Sequence, residues 1–196
     1  MKELLGKLIL IVGPSGCGKG TVIKTLKGKF PGFVYPVSYT TRDPREGEVD
    51  GEVYNFVSEG EFKEMIDGGE LLEYAIVHED EYYGTSKKEI MEGLEGGAVV
   101  LREIDIQGFH SIRKIVPPEN LVSIFIMVSD EEDLKRRILG RGEMSDEEIG
   151  QRMESAKKEI AQADTCDYRV ENEWEKVHEC VSNVGNIVFK EIKGLY

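Results

Sequence analysis

Cysteine is scarce in this chain: Cys17, Cys166 and Cys180 are odd in number, scattered, and form no CxxC pair. That excludes a disulfide framework and gives no zinc-site spacing. Long apolar runs are also missing. The longest, 8–12 and 124–128, fall far short of a membrane span. The opening residues Met1-Lys2-Glu3-Leu4-Leu5-Gly6 lack the apolar stretch and cleavage site of a secretory signal, so cytoplasmic residence is the expectation. His78, His110 and His178 show neither metal spacing nor a nucleophile partner, and the single tryptophan, Trp174, reads as packing. Positive charge is short as well. Lys and Arg total 25 against 38 Asp and Glu, a net charge of −13. A general nucleic-acid binder needs a basic face, so that role is excluded.

What is present suits a single soluble domain. At 196 residues the chain is long enough for a real core, and 40% hydrophobic with 32% charged residues is a globular balance. The most informative stretch is Gly13-Pro14-Ser15-Gly16-Cys17-Gly18-Lys19-Gly20-Thr21. It follows the apolar run 8–12 and precedes a helical pattern at 22–29. A buried strand, a glycine-rich turn and a helix N-terminus make a phosphate cradle. Glycines let backbone N–H groups converge on the anion, and Lys19 adds a positive charge for the outer phosphates. The pattern departs from the usual one at Gly20, which stands where a Ser or Thr hydroxyl normally follows the lysine; Thr21 comes one residue later. Cys17 reads as a small residue that fits the loop, or alternatively as a redox-sensitive thiol.

An acidic protein that binds a nucleotide must concentrate its positive charge locally. Six of the nine arginines fall in two regions: Arg42 and Arg45, then Arg136, Arg137, Arg141 and Arg152. Arginine suits bidentate gripping of phosphate. Strand patterns at 8–12, 98–104, 121–128 and 167–170 alternate with helical ones at 22–29, 107–114, 130–139, 145–163 and 173–190. Such alternation predicts a parallel sheet wrapped by helices. Between about 35 and 84 the texture changes to short β-like pieces (53–57, 71–77, 81–84) around a helix at 58–67, with Ser58 and Glu61 spaced as a capping box. This segment reads as a substrate lobe inserted into the core. Glycines and charges at 140–146 read as a mobile lid.

At Ser38-Tyr39-Thr40-Thr41-Arg42-Asp43-Pro44-Arg45-Glu46-Gly47-Glu48 the chain strongly resembles the guanylate kinase family. The resemblance continues through Asp50-Gly51, Tyr54-Asn55-Phe56, Leu72-Glu73-Tyr74-Ala75, Tyr82-Tyr83-Gly84-Thr85 and Glu103-Ile104-Asp105-Ile106-Gln107-Gly108. It reaches Gly140-Arg141-Gly142 and Arg152, and so covers nearly the whole chain in order. It implies an α/β fold: a P-loop NTPase-type parallel sheet flanked by helices, with an inserted α+β monophosphate-binding lobe and a helical lid. The corresponding divisions are a core at 1–35 and 86–196 carrying the loop 13–21, a lobe at 36–85 and a lid at about 137–155. The implied activity is transfer of the γ-phosphoryl group of ATP to GMP or dGMP, giving ADP and GDP, with Mg2+ travelling with ATP.

By the same resemblance Ser38, Arg42, Arg45, Tyr54 and Tyr83 would hold the GMP phosphate, while Glu73, Thr85 and Asp105 would read the guanine or its surroundings. Two arginines and three hydroxyls suit a dianionic monophosphate. A carboxylate at Glu73 can accept both N1–H and the exocyclic amine of guanine, a donor pair adenine lacks. Gly13, Pro14, Ser15, Gly16, Cys17, Gly18, Lys19, Gly20 and Thr21 would wrap the ATP phosphates, and Asn172 lies where the family contacts adenine. Lys19, Arg137, Arg141 and Arg152 would serve the transferring group. Thr21, Glu103 and Asp105 would stand near magnesium, with Glu103 also facing the GMP side; none is a certain direct ligand. Monomer and homodimer are both open.

Four departures are visible. The turn His78-Glu79-Asp80-Glu81 is one residue longer than the family's. Thr85 replaces the common serine. Arg102 interrupts an apolar strand where relatives usually carry an aliphatic residue; it needs solvent or an acidic partner. Asp105-Ile106-Gln107-Gly108 spells the DxxG of GTPases, but the chain has no NKxD guanine reader. Kinase-like modules that bind phosphopeptides typically have a degraded phosphate loop, whereas Lys19 and the lid arginines are present here.

Overall fold

The run at 8–12 becomes β1 (Lys7–Val12), whose Leu8, Ile9, Leu10, Ile11 and Val12 are fully buried. Burial on both faces is what a parallel sheet demands of its central strand. In the computed structural model, which describes residues 3–45, 47–77, 81–140 and 144–195, β1 lies between two parallel neighbours. They are β6 (Val99–Ile104) and β7 (Leu121–Met127). Beyond β7 lies β8 (Tyr168–Glu171), also parallel, giving the order β6-β1-β7-β8.

Alternate side chains of β1 feed two cores. Leu8, Leu10 and Val12 pack with Ile90 and Leu94 of α3 (Lys87–Glu95) and Phe109 and Ile112 of α4 (Ile106–Ile112). Ile9 and Ile11 pack with Val22 and Leu26 of α1 (Lys19–Lys29), Leu134 and Ile138 of α5 (Glu131–Leu139), and Val181, Val184 and Val188 of α7 (Val177–Ile192). α6 (Asp146–Ile160) starts at a capping box formed by Ser145 and Glu148, and Asp130 caps α5 ahead of three acidic residues that complement its dipole.

A second sheet is built by β2 (Ser38–Thr40), β3 (Tyr54–Phe56), β4 (Leu71–Val77) and β5 (Glu81–Ser86) in the order β3-β2-β5-β4. β2 pairs parallel with β3 and antiparallel with β5, and β4 pairs antiparallel with β5. Against this sheet lies α2 (Glu59–Asp67), held at its start by the expected Ser58–Glu61 capping box. Its Phe62 is fully buried, with its ring 5.3 Å from that of Tyr82. The two sheets meet where Val34 bridges β6: Val34 N–H donates to Val99 O at 2.9 Å and Leu101 N–H to Val34 O at 2.9 Å.

Three expectations move. The helix read at 22–29 extends back to Lys19, because the glycine turn ends there. The helix read from 173 starts at Val177, since Glu175 sits at φ 60, a left-handed conformation no helix interior accepts. β2 and α3 went unread: β2 is only three residues long, and α3 presents few apolar side chains, its buried ones being Ile90 and Leu94. The turn at His78, Glu79 and Asp80 lies outside the described residues, as do Arg141, Gly142 and Glu143 of the expected lid.

The start of β1 is tied down by Asn120, whose Nδ2 donates to Leu4 O at 2.9 Å and Gly6 O at 2.8 Å. Asn120 is 8% exposed, so its loss strands two carbonyls. Asn120→Ala is expected to lower unfolding free energy by about 1–3 kcal/mol in urea titrations. An unchanged midpoint would show that the tie carries no stability.

Candidate functional site

The phosphate loop leaves β1 at Gly13 and enters α1 through Gly18. Gly18 is the N-cap of α1 in a left-handed conformation (φ 97), with no side chain capping the helix and no acidic residue in its first turn. The first N–H groups of α1 are therefore left for an anion. A side chain at Gly18 is excluded twice over: by its φ, and because a Cβ would lie 2.5 Å from Asn172 Nδ2. Asn172 is 3% exposed and donates through that nitrogen to Cys17 O at 2.8 Å; its own carbonyl accepts from Arg137 Nη2 at 2.7 Å. Asn172 Oδ1 is buried with no partner among the described residues. Asn172 thus braces the loop from the end of β8, and Arg137 braces Asn172.

Lys19 Nζ donates to Gly13 O at 2.5 Å and Pro14 O at 3.0 Å, so the ammonium lies folded along its own loop. The Glu159 carboxylate on α6 is partly buried. Desolvation raises its pKa, and the charge of Lys19 opposes that rise. Cys17 is fully buried, and burial pushes its thiol up. A thiol with no exposure suits packing better than redox sensing. Gly20 is exposed; a Cβ there would lie 3.7 Å from Glu103 Oε2, so the missing hydroxyl position looks across at a carboxylate.

The second sheet collects the other candidates by period and register. Ser38 stands opposite Tyr54, Thr40 opposite Tyr83, and Glu73 opposite Thr85. Alternation along β2, β4 and β5 then puts Ser38, Tyr54, Tyr83, Thr85 and Glu73 on one face. The tyrosines split accordingly. Tyr54 and Tyr83 meet edge to face with centroids 5.7 Å apart, whereas Tyr82 packs on Phe62 and Tyr74 is 49% exposed on the far face.

Arg42 is 9% exposed, with its guanidinium 5.5 Å from the Tyr54 ring and 5.6 Å from the Phe56 ring. Nη2 donates to both Glu48 oxygens at 3.1 and 2.8 Å, and Nη1 donates to Asp43 O at 2.6 Å. Glu48 also accepts the Arg45 N–H at 2.8 Å; that bond and Arg42 hold its carboxyl below the usual range. Arg45 itself is exposed. Thr85, fully buried, donates its hydroxyl to Glu73 Oε1. A Cβ on Gly108 would sit 3.2 Å from Glu73 Oε2, so the start of α4 leaves room for this carboxylate. Asp105 caps α4, accepting from Gly108 N at 2.7 Å, and thereby fixes that approach.

Some participants escaped the sequence reading. Glu48 belongs to the quoted motif but had no role. Arg102 is 8% exposed and pairs directly with no acid among the described residues: it spans from β6 to β2, donating to Pro36 O at 3.2 Å and Ser38 Oγ at 2.7 Å. Trp174, read as packing, is 40% exposed, and the guanidiniums of Arg136 and Arg137 lie 4.7 and 5.6 Å from its ring. Arg152 lies partly buried on α6, and Arg141 falls outside the described residues.

Burial raises the pKa of Glu73; Thr85 and Arg102 oppose the rise, and Asp105 adds to it. A carboxyl raised in the folded state stabilises most below its unfolded pKa, and that contribution is lost as pH rises through the folded value. Glu73→Gln removes the penalty. Its melting temperature is expected to gain on the parent between pH 4 and pH 8, with the gap widening as pH rises, in calorimetric scans at one-unit steps of about 1. A gap that narrows toward high pH would reverse the assigned cause.

Comparisons with known proteins identify the family. A family model described as guanylate kinase matches residues 5–191. A guanylate kinase of Helicobacter pylori strain 26695 is 44% identical over 187 residues, covering 95% of this chain and 89% of its own. One from Clostridioides difficile strain 630 is 46% identical over 168 residues, covering 86% and 80%. The crystal structure of guanylate kinase from Anaplasma phagocytophilum superposes with a TM-score of 0.77 at 31% identity, over 97% of this chain and 88% of that one. With the family model spanning nearly the whole chain and these relatives matching most of it, this protein belongs to the guanylate kinase family.

Proposed function

We propose that the protein transfers the γ-phosphoryl group of ATP to GMP or dGMP, with GMP seated on the inner face of the second sheet and ATP on the phosphate loop. The observation that carries the site reading is the register of β2 to β5. It gathers the hydroxyls of Ser38, Tyr54, Tyr83 and Thr85 and the carboxylate of Glu73 on one surface, and the ring of Tyr54 brings the Arg42 guanidinium beside it. Ser38, Tyr54, Tyr83, Arg42 and Arg45 take the monophosphate; the ring contacts on Arg42 keep its fork oriented. Glu73 accepts from guanine N1–H and the exocyclic amine, with Thr85 fixing its other oxygen. Adenine would leave this recessed carboxylate unpaired, which is the costly mismatch that gives strong discrimination.

On the other side, the open N–H groups of α1 and Lys19 hold the ATP phosphates. Lys19 exchanges two loop carbonyls for phosphate oxygens. Magnesium bound with ATP would supply charge neutralisation for the transfer. Gly20 offers no hydroxyl for it, so Thr21, Glu103 and Asp105 are the residues that would hold it from outside its shell of direct ligands, which suits an ion that dehydrates reluctantly. Arg137, Arg141 and Arg152 neutralise the group in transfer. Placing arginines on the segment that closes would exclude water when GMP is in place. The orphaned Oδ1 of Asn172 supports a base-contacting role at the ATP site.

An ADP-release assay with GMP, AMP, CMP and UMP side by side is expected to show turnover with GMP alone. Preference for another monophosphate would overturn the lobe assignment. Lys19→Met is expected to lower kcat by at least about 10²-fold, the scale of losing a transition-state charge contact. GMP affinity by calorimetry should be retained; near-parent kcat would remove Lys19 from the mechanism. Arg45→Ala is expected to raise KM for GMP and leave that for ATP. Equal losses for both would argue against separate seats.

A further inference from the structure

Among the described residues, Arg102 is the one buried cation that the reaction scheme leaves unused. It sits in β6 beside Leu10 of β1, at 8% exposure, on a strand otherwise lined with Val99, Val100, Leu101 and Ile104. Burying a guanidinium is expensive unless its donors are met. Here the donors are only partly met. Nη1 reaches Pro36 O and Nη2 reaches Ser38 Oγ, while Nε is buried with no partner among the described residues. Its charge feels the acids Glu73, Glu103 and Glu89, and none of them is a hydrogen-bonded partner among the described residues. An apolar residue would cost less here, so the charge is held for something other than packing.

Both of its partners lie at the entry to β2, more than sixty residues away in sequence. The side chain therefore pins the first strand of the lobe to the central sheet. It also sets the sense of one hydroxyl. Ser38 Oγ accepts from Arg102, so its own proton points elsewhere and is free to be donated. A serine fixed as donor, with an under-compensated positive charge behind it, is built to face an anion.

We infer that Arg102 is a positioning residue for the acceptor nucleotide, holding Ser38 as a hydroxyl donor toward the GMP phosphate and anchoring the lobe at Pro36. This rests on the reading of Ser38 as a phosphate contact. Arg102 touches neither substrate; it acts through Ser38 and through the strand.

Steady-state kinetics on Arg102→Leu, Arg102→Lys, Ser38→Ala and the Arg102→Leu, Ser38→Ala double variant test the inference. Arg102→Leu is expected to raise KM for GMP about tenfold, the scale of a charge-assisted hydrogen bond, with KM for ATP and kcat nearly unchanged. Arg102→Lys keeps the charge but cannot span both acceptors, and should recover part of the loss. In the Ser38→Ala background the further effect of Arg102→Leu should shrink to less than about twofold, because the two residues act as one unit. Three results would overturn the inference: an unchanged KM for GMP in Arg102→Leu, equal losses for both substrates, or full additivity with Ser38→Ala. If Ser38→Ala itself leaves GMP binding intact, the phosphate role of Ser38 fails first, a result distinct from a silent Arg102. Should Arg102→Leu not fold, Arg102→Lys decides: a parent-like KM for GMP overturns the inference.

Discussion

Seating two anionic nucleotides on a protein of net charge −13 requires a positive potential made locally from few groups. The fold meets this constraint in two ways. On the ATP side the potential is backbone: the N-terminus of α1 is uncapped by any side chain and carries no acid in its first turn. α2 to α6 each have a polar side chain accepting from the first turn, and α7, which lacks one, carries Glu179 there; α1 has neither. On the acceptor side the potential is guanidinium. Arg42 is buried against two rings and preset by Glu48, and Arg102 lies beneath Ser38. The acids that give the chain its charge are mostly on helix starts and exposed faces, where they stabilise helices and keep it soluble.

The same constraint accounts for the unusual polar burial at the junction of the two sheets. Glu73, Thr85, Arg102, Ser38 and Asp105 are joined by hydrogen bonds or felt charge within one small region. Raised and lowered pKa values concentrate where function is expected. Glu73 accepts from Thr85 and, among the described residues, makes no ion pair that would compete with a base for its oxygens. Gly108 keeps that approach clear, and Asp105 holds the turn that positions Gly108. One motif, Asp105-Ile106-Gln107-Gly108, thus both caps α4 and leaves room for the Glu73 carboxylate.

Much of this was legible in the sequence because it is local. The strand–loop–helix of the phosphate cradle, the Ser58–Glu61 capping box and the acidic start of α5 each follow from residues a few positions apart. The face of the second sheet proposed for GMP was suggested by motif resemblance, and register is what brings its residues together. What stayed hidden depends on contacts across long separations. Arg102 meets Ser38 from 64 residues away, and Asn172 meets Cys17 from 155. No periodicity reports such pairs. Glu48 was hidden differently: its role appears only when the chain folds back on Arg42. Trp174 was misjudged because its partners are guanidiniums, and a lone aromatic in sequence gives no sign of which surface will cover it.

The most direct test is a crystal structure with GMP and ADP bound together. The account predicts guanine against Glu73 and Thr85, the monophosphate among Ser38, Arg42, Arg45, Tyr54 and Tyr83, and the ADP phosphates on the N–H groups between Gly13 and Thr21. GMP bound away from the inner face of the second sheet, or ADP bound away from the start of α1, would contradict it.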